Sequence, residues 1–482
     1  MSNPNIHITP QDKLQYQSVL QGGTVYFLGI GGIGMSALAK YFVHIGATVM
    51  GYDKTKTTLT TQLEQLGITI TYNNTEADIV KDVCMVIYTP AIPTALLAWQ
   101  YYKLHKYTLL KRSQVLGLIT ACTHNICVAG THGKTTVSTM VSHLLQYTGY
   151  GCNAFLGGIS VNYNDNYINT VNSPTTVIEA DEYDRSFLQL SPSIGVITSM
   201  DADHLDIYGT AEQVHEAFIE FSKCIKPNGI LIANYDLVHY KALIASNKYT
   251  YHISNTAADC YASNIVIVNG SYQFTAVLYG ISIPNVVLHI GGMHNIENMI
   301  AAMAVAYSMG IAASSLIQAV AAYQGVKRRF EYIIPPTSGQ DAIVMIDDYA
   351  HHPTELTALL TGVNALYPLR KMVLIFQPHL YSRTQDFSAN FSQALSLAHQ
   401  VLLLPIYPAR EQPIPGVTSE LLLPNITSTY KQVLSNIQVL DWVRNNLSIT
   451  NKDVVLVVAG AGDVDLLLTP IKNIILSHNL NT

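Results

Sequence analysis

Short runs of hydrophobic residues recur along the chain, and many of them end in glycine or in acidic residues. Two of these runs, residues 24–28 and 125–129, are each followed by a glycine-rich turn. After each turn the apolar residues recur at helical spacing, at 35–45 and at 137–145. A strand, a turn and a helix in succession form the repeating unit of a parallel sheet, so the pattern predicts an α/β fold.

The same alternation continues to the end of the chain. Further hydrophobic runs predict strands at 48–52, 83–88, 175–178, 194–199, 342–346, 372–376, 401–404 and 454–458, and an alanine-rich segment predicts a helix at 299–309. A chain of 482 residues is too long for one hydrophobic core. We expect boundaries at a linker near 120–125 and close to the pair Pro335 and Pro336. The sequence thus predicts three domains: a Rossmann-like domain at 1–122, a central P-loop ATPase-type α/β domain at 123–332 and a Rossmann-like domain at 333–482.

Composition excludes several classes of protein. Hydrophobic residues make up 49% of the chain and charged residues 12%, which is too apolar for a disordered protein. The net charge of −6 provides no electrostatic footprint for nucleic acid, and no apolar run approaches the roughly 18 residues of a membrane-spanning helix. The six cysteines form no CxxC pair, and the first residues lack a secretory pattern. We therefore expect a cytoplasmic protein without a nucleic-acid partner or membrane insertion. The sequence leaves open whether it is a monomer or a homodimer.

The first glycine turn has the spacing of a dinucleotide-binding fingerprint. Gly29, Gly31 and Gly34 fit G-x-G-x-x-G between a predicted strand and a predicted helix. Asp53 ends the next strand, where a carboxylate could reach a ribose hydroxyl. The alternative is a tight turn that binds nothing.

The second glycine turn, residues 130–136, reads Gly-Thr-His-Gly-Lys-Thr-Thr and resembles a phosphate-binding loop. Lys134 would contact the outer phosphates of a nucleotide, and the Thr135 hydroxyl would hold Mg²⁺. A full P-loop has a further glycine at the position that Val128 occupies here. A chance Gly-Lys-Thr on a surface turn is the alternative. Two phosphate-binding turns in one chain indicate two phosphate-bearing ligands.

Acidic residues and histidines follow the middle strands. Glu179 begins a cluster of four acids in six residues, which would either hold a divalent metal or form a solvated turn. A second cluster at 201–206 contains His204, a metal or phosphate ligand if it is not a structural histidine. Near the start of the alanine-rich helix lie His294, Asn295 and Asn298, which helix capping alone cannot all use.

The last third has cations and polar strand ends. Residues 327–329 read Lys-Arg-Arg, in a chain that has 26 Lys and Arg in total. Polar segments at 347–355, 377–383, 405–411 and 460–463 each follow a predicted strand. Because open α/β sheets bind ligands beyond the carboxyl ends of their strands, this pattern predicts a third ligand-binding edge.

Taken in order, these motifs resemble those of the Mur ligases of peptidoglycan synthesis, from about residue 24 to the C-terminus. The resemblance rests on segments 29–36, 130–136, 179–182, 201–206, 294–298, 327–331, 348–353 and 379–383. The P-loop without the leading glycine is this family's own form. The resemblance implies an ATP-dependent ligase of the alanine-adding branch. It would join L-alanine to the lactyl carboxylate of UDP-N-acetylmuramate through an acyl phosphate, with two Mg²⁺ ions, in the first amino-acid addition to the peptidoglycan precursor.

The resemblance also assigns roles to residues. The UDP-sugar would be bound by Gly29, Gly31, Gly32, Gly34 and Asp53. ATP would be bound by Gly130, Thr131, His132, Gly133, Lys134, Thr135, Thr136, His294, Asn295, Asn298, Arg329 and Asp348. Metal would be bound by Thr135, Glu179 and His204, and the amino acid by Tyr349, His351, His379 and Arg383. The catalytic set would be Lys134, Glu179, His204, Arg329, His351 and Arg383.

The chain differs from the family pattern at two places, and three other functions are possible. Many family members have arginine where this chain has Leu380, which leaves Arg383 or another residue to pair with the amino-acid carboxylate. Relatives that add later amino acids use a modified lysine, and the segment 217–221 has none, in agreement with the alanine branch. The alternatives are a ligase that recycles a whole tripeptide, a nicotinamide-dependent oxidoreductase and a catalytically silent UDP-sugar sensor.

Overall fold

The structure, a computed structural model, describes residues 9–171, 173–202, 205–336, 342–409 and 411–477. The strands are β1 (Thr24–Leu28), β2 (Thr48–Tyr52), β3 (Thr69–Thr71), β4 (Met85–Tyr88), β5 (Leu109–Lys111), β6 (His124–Ala129), β7 (Asn153–Ser160), β8 (Asp165–Ile168), β9 (Thr175–Glu179), β10 (Ile194–Ile197), β11 (Ile230–Asn234), β12 (Asn247–His252), β13 (Cys260–Val268), β14 (Ser271–Leu278), β15 (Ile281–Leu288), β16 (Glu331–Ile334), β17 (Val344–Asp348), β18 (Lys371–Phe376), β19 (Gln400–Leu403), β20 (Tyr430–Val433) and β21 (Val454–Ala459).

The α-helices lie between these strands. They are α1 (Pro10–Leu20), α2 (Ile33–His44), α3 (Thr58–Gln65), α4 (Leu97–Leu104), α5 (Arg112–Cys122), α6 (Lys134–Tyr147), α7 (Leu205–Tyr208), α8 (Ala211–Lys223), α9 (Met293–Ser308), α10 (Ala313–Ala322), α11 (Pro353–Leu366), α12 (Tyr381–Asp386), α13 (Ser388–Leu395), α14 (Asn436–Asn446) and α15 (Leu468–Ser477). Among the described residues, no helix is long and apolar enough to cross a membrane.

The first sheet has the strand order β3-β2-β1-β4-β5, and its paired strands are parallel. The chain moves from β1 to β2 on one side and returns to β4 on the other. The strand order therefore reverses beside β1, and ligands of open α/β sheets bind at such a switch point. The first glycine turn directly follows β1, so the fold places it there.

The second sheet has the order β15-β14-β13-β12-β11-β10-β6-β9-β7-β8. Strand β6 pairs in parallel with both β9 and β10, so the ends of all three lie side by side. Strands β7 and β8 form an antiparallel hairpin at one edge. The hydrophobic pattern did not predict this hairpin, because its strands contain Gly157, Gly158, Asn166 and other residues that rarely mark a strand.

The third sheet has the order β16-β17-β21-β18-β19-β20, parallel except for the antiparallel edge strand β16. All five residues of the predicted run 454–458 are buried in it. Parallel strands buried on both faces give such continuous hydrophobic runs, which is why the prediction succeeded here.

By Cα proximity the chain divides into two compact units. Unit 1 comprises Met1–Ser263, Ala276–Pro284 and Glu297–Val320, and unit 2 comprises Asn264–Thr275, Asn285–Ile296 and Ala321–Thr482. One core of unit 1 includes residues from α2, β1, β6 and β7. The core around the third sheet belongs to unit 2. The boundaries 1–122, 123–332 and 333–482 stay a prediction.

Two local predictions were wrong. The expected linker at 120–125 is mostly regular structure, because α5 continues to Cys122 and β6 begins at His124. The Asn125 side chain closes this junction by donating to the carbonyl of Thr120 at 2.8 Å. The alanine-rich helix begins at Met293 rather than at 299, so His294, Asn295 and Asn298 lie inside it.

Candidate functional site

The second glycine turn adopts a conformation that requires its glycines. Gly130 has φ +143° and Gly133 has φ +82°, both in the region that side chains disfavour. A Cβ atom at Gly130 would lie 2.0 Å from the Thr198 hydroxyl oxygen. Glycine at 130 therefore lets the turn pack directly against Thr198. The turn leads into the N-terminus of α6, and at such a position the helix dipole and the N–H groups favour anions.

Residues after β10 hold this turn in place. The Ser199 hydroxyl accepts a hydrogen bond from the backbone N–H of His132 at 2.8 Å and lies 2.8 Å from the Thr131 hydroxyl oxygen. The Thr198 hydroxyl donates to the carbonyls of Ala129 and His132. Sequence reasoning treated Thr198 and Ser199 as the end of a strand and missed this role. The only signal was their polarity at the end of an apolar run.

Lys134 is the first residue of α6 and is held at the head of the turn. Its Nζ donates to the Gly130 carbonyl at 2.6 Å and pairs with the Glu182 carboxylate at 2.7 Å. Only 1% of the Glu182 side chain is exposed, and the Tyr208 hydroxyl donates to the Glu182 carbonyl at 2.5 Å. A buried carboxylate thus positions the ammonium group that a phosphate would need.

Thr135 and Glu179 bring oxygen ligands together beside the turn. The Thr135 hydroxyl donates to Glu179 Oε1 at 2.8 Å, and the Gly157 N–H donates to Oε2 at 2.8 Å. Hydroxyl and carboxylate oxygens suit Mg²⁺, which also keeps waters and substrate phosphate oxygens as ligands. Within the described part of the chain, no group of three or more His, Cys, Asp and Glu forms a metal site. The predicted ligand His204 lies outside the described residues.

Three of the four acids at the end of β9 contact different partners. Glu179 contacts Thr135, Glu182 pairs with Lys134, and Asp181 lies 3.8 Å from the Arg112 guanidinium. Asp184 has φ +52°, in the left-handed region. Glu179, Asp181 and Glu182 therefore have different partners, which relieves the repulsion that the sequence suggested.

The first glycine turn is closed by Asp53. The Gly31 N–H donates to Asp53 Oδ2 at 2.7 Å, and the Thr55 N–H donates to Oδ1 at 3.2 Å. Gly29 has φ +85°. The carboxylate predicted to reach a ribose thus also fixes the shape of the turn.

A cavity of about 700 Å³ within unit 1 runs from this turn to Glu179. Its lining includes Gly29, Gly32, Gly34, Asp53, Arg112, Phe155, Gly157, Glu179 and Asp181. The first glycine turn and the candidate metal ligand therefore open onto one space. Arg112 was not predicted, because a lone arginine after a short strand carries no sequence signal. A Cβ at Gly34 would lie 2.4 Å from its Nη1, so glycine is needed for the arginine to approach the turn.

In unit 2, two neighbouring aspartates end β17. Asp348 accepts hydrogen bonds from the backbone N–H groups of Phe330 and Ala350, each at 2.8 Å. Burial raises its pKa to about 6. Asp347 is fully buried and lies 3.7 Å from Arg328 Nε. Burial outweighs the attraction of Arg328 and raises the Asp347 pKa to about 7.

The raised pKa of Asp347 predicts a pH dependence of stability. In the unfolded chain this carboxyl loses its proton near pH 4, but in the folded protein it keeps the proton until about pH 7. Its contribution to stability is therefore full below pH 4 and is lost as the pH rises to about 7. We expect Asp347→Asn to raise the melting temperature more at pH 8 than at pH 5. Melting curves of both proteins across this range test the prediction, and a constant difference would contradict it.

Two unpaired polar atoms lie among the predicted amino-acid-binding residues. His379 Nδ1 and Arg383 Nη1 are buried and have no hydrogen-bond partner among the described residues. The rings of His351 and His379 are 5.8 Å apart, and His351 Nδ1 lies 3.0 Å from the Tyr349 carbonyl oxygen. Burial, followed by the charges of His351 and Arg383, lowers the His379 pKa. A ligand carboxylate or amine would satisfy such buried groups.

Leu380, at the position where the family resemblance predicts arginine, immediately precedes α12. It has φ +71°, and its N–H donates to the Tyr407 carbonyl at 3.0 Å. Its backbone therefore helps place His379 and Arg383 on either side, although its side chain has no charge. Which residue pairs with an amino-acid carboxylate stays a prediction.

Three family profiles match the chain in succession. The profile described as "Mur ligase family, catalytic domain" matches residues 24–123, "Mur ligase middle domain" matches 128–306, and "Mur ligase, glutamate ligase domain" matches 328–462. The chain belongs to the Mur ligase family. This confirms both the family resemblance of the motifs and the α/β class with a succession of three family domains.

The chain is similar over most of its length to several named ligases. The UDP-N-acetylmuramate–L-alanine ligase of Parabacteroides distasonis is 45% identical to this Mur ligase over 457 residues, which cover 94% of this chain and 97% of the relative. The UDP-N-acetylmuramate–alanine ligase of Thermotoga maritima, known from a crystal structure, is 25% identical in sequence to this chain. Its structure superposes with a TM-score of 0.76 and covers 95% of this chain and 100% of its own. A murein peptide ligase from Psychrobacter arcticus is also 25% identical in sequence. Its structure superposes with a TM-score of 0.61 and covers 94% of this chain and 100% of its own.

The other predicted ATP-binding residues of this Mur ligase are distributed over both units. Asn298 belongs to unit 1, where a Cβ at Gly133 would lie 3.0 Å from its Oδ1. Asn295 belongs to unit 2 and donates from Nδ2 to the Gly291 carbonyl at 2.6 Å. His294 is exposed, and the Arg329 N–H donates to the Val326 carbonyl at 3.1 Å. Thr136 follows Thr135 in the first turn of α6. The roles of these residues stay predictions.

Proposed function

We propose that this Mur ligase uses ATP to join L-alanine to the lactyl carboxylate of UDP-N-acetylmuramate. The observation that carries the proposal is the cavity in unit 1 that extends from the first glycine turn to Glu179. Such a cavity suits an elongated substrate with phosphates at one end and a carboxylate at the other. The relative from Parabacteroides distasonis, which bears the name of this activity, supports the same substrates.

The UDP portion of the substrate would lie against the first glycine turn. The N–H groups of Gly32 and Gly34 are at the start of α2, and Arg112 provides a positive charge on the same cavity wall. The sugar and its lactyl group would then extend past Phe155 toward Gly157 and Glu179. This orientation brings the substrate carboxylate to the oxygen ligands beside Thr135.

ATP would bind with its phosphates over the turn 130–136. Lys134 would move from Glu182 to the outer phosphate oxygens, while Glu182 keeps its charge close by. Thr135 and Glu179 would hold Mg²⁺, which neutralises phosphate charge when bound. A second ion at His204 and Glu179 is part of the proposal.

The chemistry follows from the weakness of a carboxylate as an acylating agent. A carboxylate oxygen of UDP-N-acetylmuramate attacks the γ-phosphorus of ATP, and the bond to ADP breaks. The alanine amine then attacks the acyl carbon, phosphate leaves, and the amine loses a proton. The protein positions the reactants and balances charge. In unit 2, Arg329, Asp348, His294 and Asn295 would contact ATP, and Tyr349, His351, His379 and Arg383 would contact alanine.

A single assay tests the proposal. Purified protein with ATP, Mg²⁺ and UDP-N-acetylmuramate should release ADP and phosphate when L-alanine is added. It should release much less of both with the tripeptide L-alanyl-γ-D-glutamyl-meso-diaminopimelate. Preference for the tripeptide would replace the proposal with the recycling ligase. The same assay with serine and with glycine in place of L-alanine would measure the selectivity for the amino acid. A protein that consumes these substrates would work in the cytoplasm.

A nicotinamide-dependent oxidoreductase would use the first glycine turn and leave the Lys134–Glu182 and Thr135–Glu179 pairs without a function. We therefore expect that NADH does not bind in a fluorescence titration, whereas the UDP-sugar binds clearly. Tight NADH binding would support the oxidoreductase.

Arg112→Gln is expected to raise the KM for UDP-N-acetylmuramate about 10-fold. A charge-assisted hydrogen bond to phosphate contributes roughly 1.5–3 kcal/mol, and glutamine is a shorter, neutral side chain that cannot replace it. The KM for ATP should change little, because Lys134 and not Arg112 serves that turn. Initial rates with each substrate varied provide the measurement. Lys223→Gln on the exposed face of α8 is the matched control, and an unchanged KM for the UDP-sugar would exclude Arg112 from its binding.

A further inference from the structure

A buried polar clasp joins α2 to the β7–β8 hairpin, and none of the proposed ligand contacts involves it. Lys40 on α2 is 4% exposed, and its Nζ lies 2.5 Å from the Asp165 carboxylate. The same Nζ donates to Asn166 Oδ1 at 3.2 Å. In return, Asn166 Nδ2 donates to the Ile33 carbonyl and, at 3.1 Å, to the Ser36 hydroxyl.

Each polar group of the clasp has a partner. Asn166 is 1% exposed, and both its amide oxygen and its NH₂ group are used. Asp165 Oδ1 also accepts the N–H groups of Asn166 at 2.7 Å and Tyr167 at 3.1 Å. A satisfied network of this kind specifies one relative position of two elements, because any other position leaves buried groups unpaired.

The two elements that the clasp joins both contribute to the cavity wall. Ile33, Gly34 and Met35 of α2 line the cavity, as do Phe155 and Gly157 of β7. Strand β8 contains the clasp residues Asp165 and Asn166 and pairs with β7, where Tyr167 lies opposite Phe155. Gly157 in turn donates its N–H to Glu179. A continuous set of contacts therefore leads from the first glycine turn to the candidate metal ligand, all within unit 1.

We infer that Lys40, Asp165 and Asn166 are positioning residues that fix the distance between the first glycine turn and Glu179. This inference rests on the proposed function, because it assigns the UDP end of the substrate to one wall and the reacting carboxylate to the other. A ligand that touches one wall only is insensitive to the clasp. The reaction requires both walls, and a displacement of about 1 Å between reacting groups can lower a rate about 100-fold.

Lys40→Met tests the inference, since it keeps the side-chain volume and removes the ammonium group. We expect kcat to fall about 10- to 100-fold, while the dissociation constants for UDP and for an ATP analogue, measured separately by calorimetry, stay within about twofold. If the variant did not fold, the binding of both ligands would be weakened instead. Asp165→Asn is the milder second variant: its amide oxygen can still accept from Lys40, so its kcat should lie between those of Lys40→Met and the unchanged protein.

Glu220→Gln is the matched control, because Glu220 forms an exposed pair with Lys223 on α8. It should leave kcat within about twofold of the unchanged protein. If Lys40→Met also keeps kcat within twofold, the clasp does not position the substrate and the inference is wrong.

Amide hydrogen exchange separates this inference from the proposed function. In the ligand-free protein, Lys40→Met should raise the exchange of residues 33–41 and 153–168, with no change in the third sheet. This result is expected whatever the substrate. Unchanged exchange in both segments would overturn the inference even if the ligase assay succeeds. A failed ligase assay with raised exchange would overturn the proposed function alone.

Discussion

Lys134→Ala is expected to lower kcat for ADP formation by at least about 10³-fold. Lys134 supplies the positive charge at the head of the turn, and removal of one such electrostatic contact to a transition state costs about 10²- to 10³-fold in known enzymes. Here the substitution also leaves the buried Glu182 carboxylate without its ammonium partner at 2.7 Å, next to the incoming phosphates. Single-turnover rates with ATP, UDP-N-acetylmuramate and L-alanine provide the measurement.

UDP-N-acetylmuramate should still bind to Lys134→Ala with unchanged affinity, because the first glycine turn and Arg112 do not contact Lys134. Calorimetric titration tests this directly and also reports whether the variant is folded. Lys241→Ala, at an exposed lysine of the same unit, should behave like the unchanged protein. A Lys134→Ala variant that turns over at a normal rate would mean that the turn 130–136 does not bind ATP.

Glu179→Gln is the second substitution with a large expected effect. The amide keeps the shape of the side chain and one acceptor for Thr135 or Gly157, but it loses the negative charge that favours a divalent cation. We expect kcat to fall about 10²- to 10³-fold, and the Mg²⁺ concentration for half-maximal activity to rise. A titration of ADP formation with MgCl₂ measures both quantities.

Asp184→Asn is the matched control for Glu179→Gln, because it removes an acid from the same segment. Asn tolerates the left-handed backbone at this position, where φ is +52°. It should leave the Mg²⁺ requirement unchanged. If Glu179→Gln has the same Mg²⁺ requirement as the unchanged protein, Glu179 is not a metal ligand.

The sequence predicted the parts of the site that depend on local geometry. The turns at Gly29 and Gly130 follow buried strands and precede helices, as the spacing of glycines indicated. Such turns are recognisable because few residues other than glycine adopt their backbone angles. Glu179 at the end of β9 was likewise expected from the end of a hydrophobic run.

Other members of the site have no local signature. Thr198 and Ser199 come close to Gly130 and His132 only because β10 lies beside β6 in the sheet. The Arg112 side chain approaches the first turn because Gly34, which is distant from it in sequence, has no side chain to block it. No periodicity connects these pairs, so no reading of hydrophobic spacing could have joined them.

The sequence by itself determined the α/β class, the two glycine turns and the family, since these rest on short motifs and on strands buried on both faces. The tertiary structure decided which charges meet. It separated the acids at the end of β9 onto Thr135, Arg112 and Lys134, and it placed the first glycine turn and Glu179 along one cavity. The physical reason is that electrostatic and packing partners are selected by strand order and by the free space beside glycine, both of which are properties of the folded sheet.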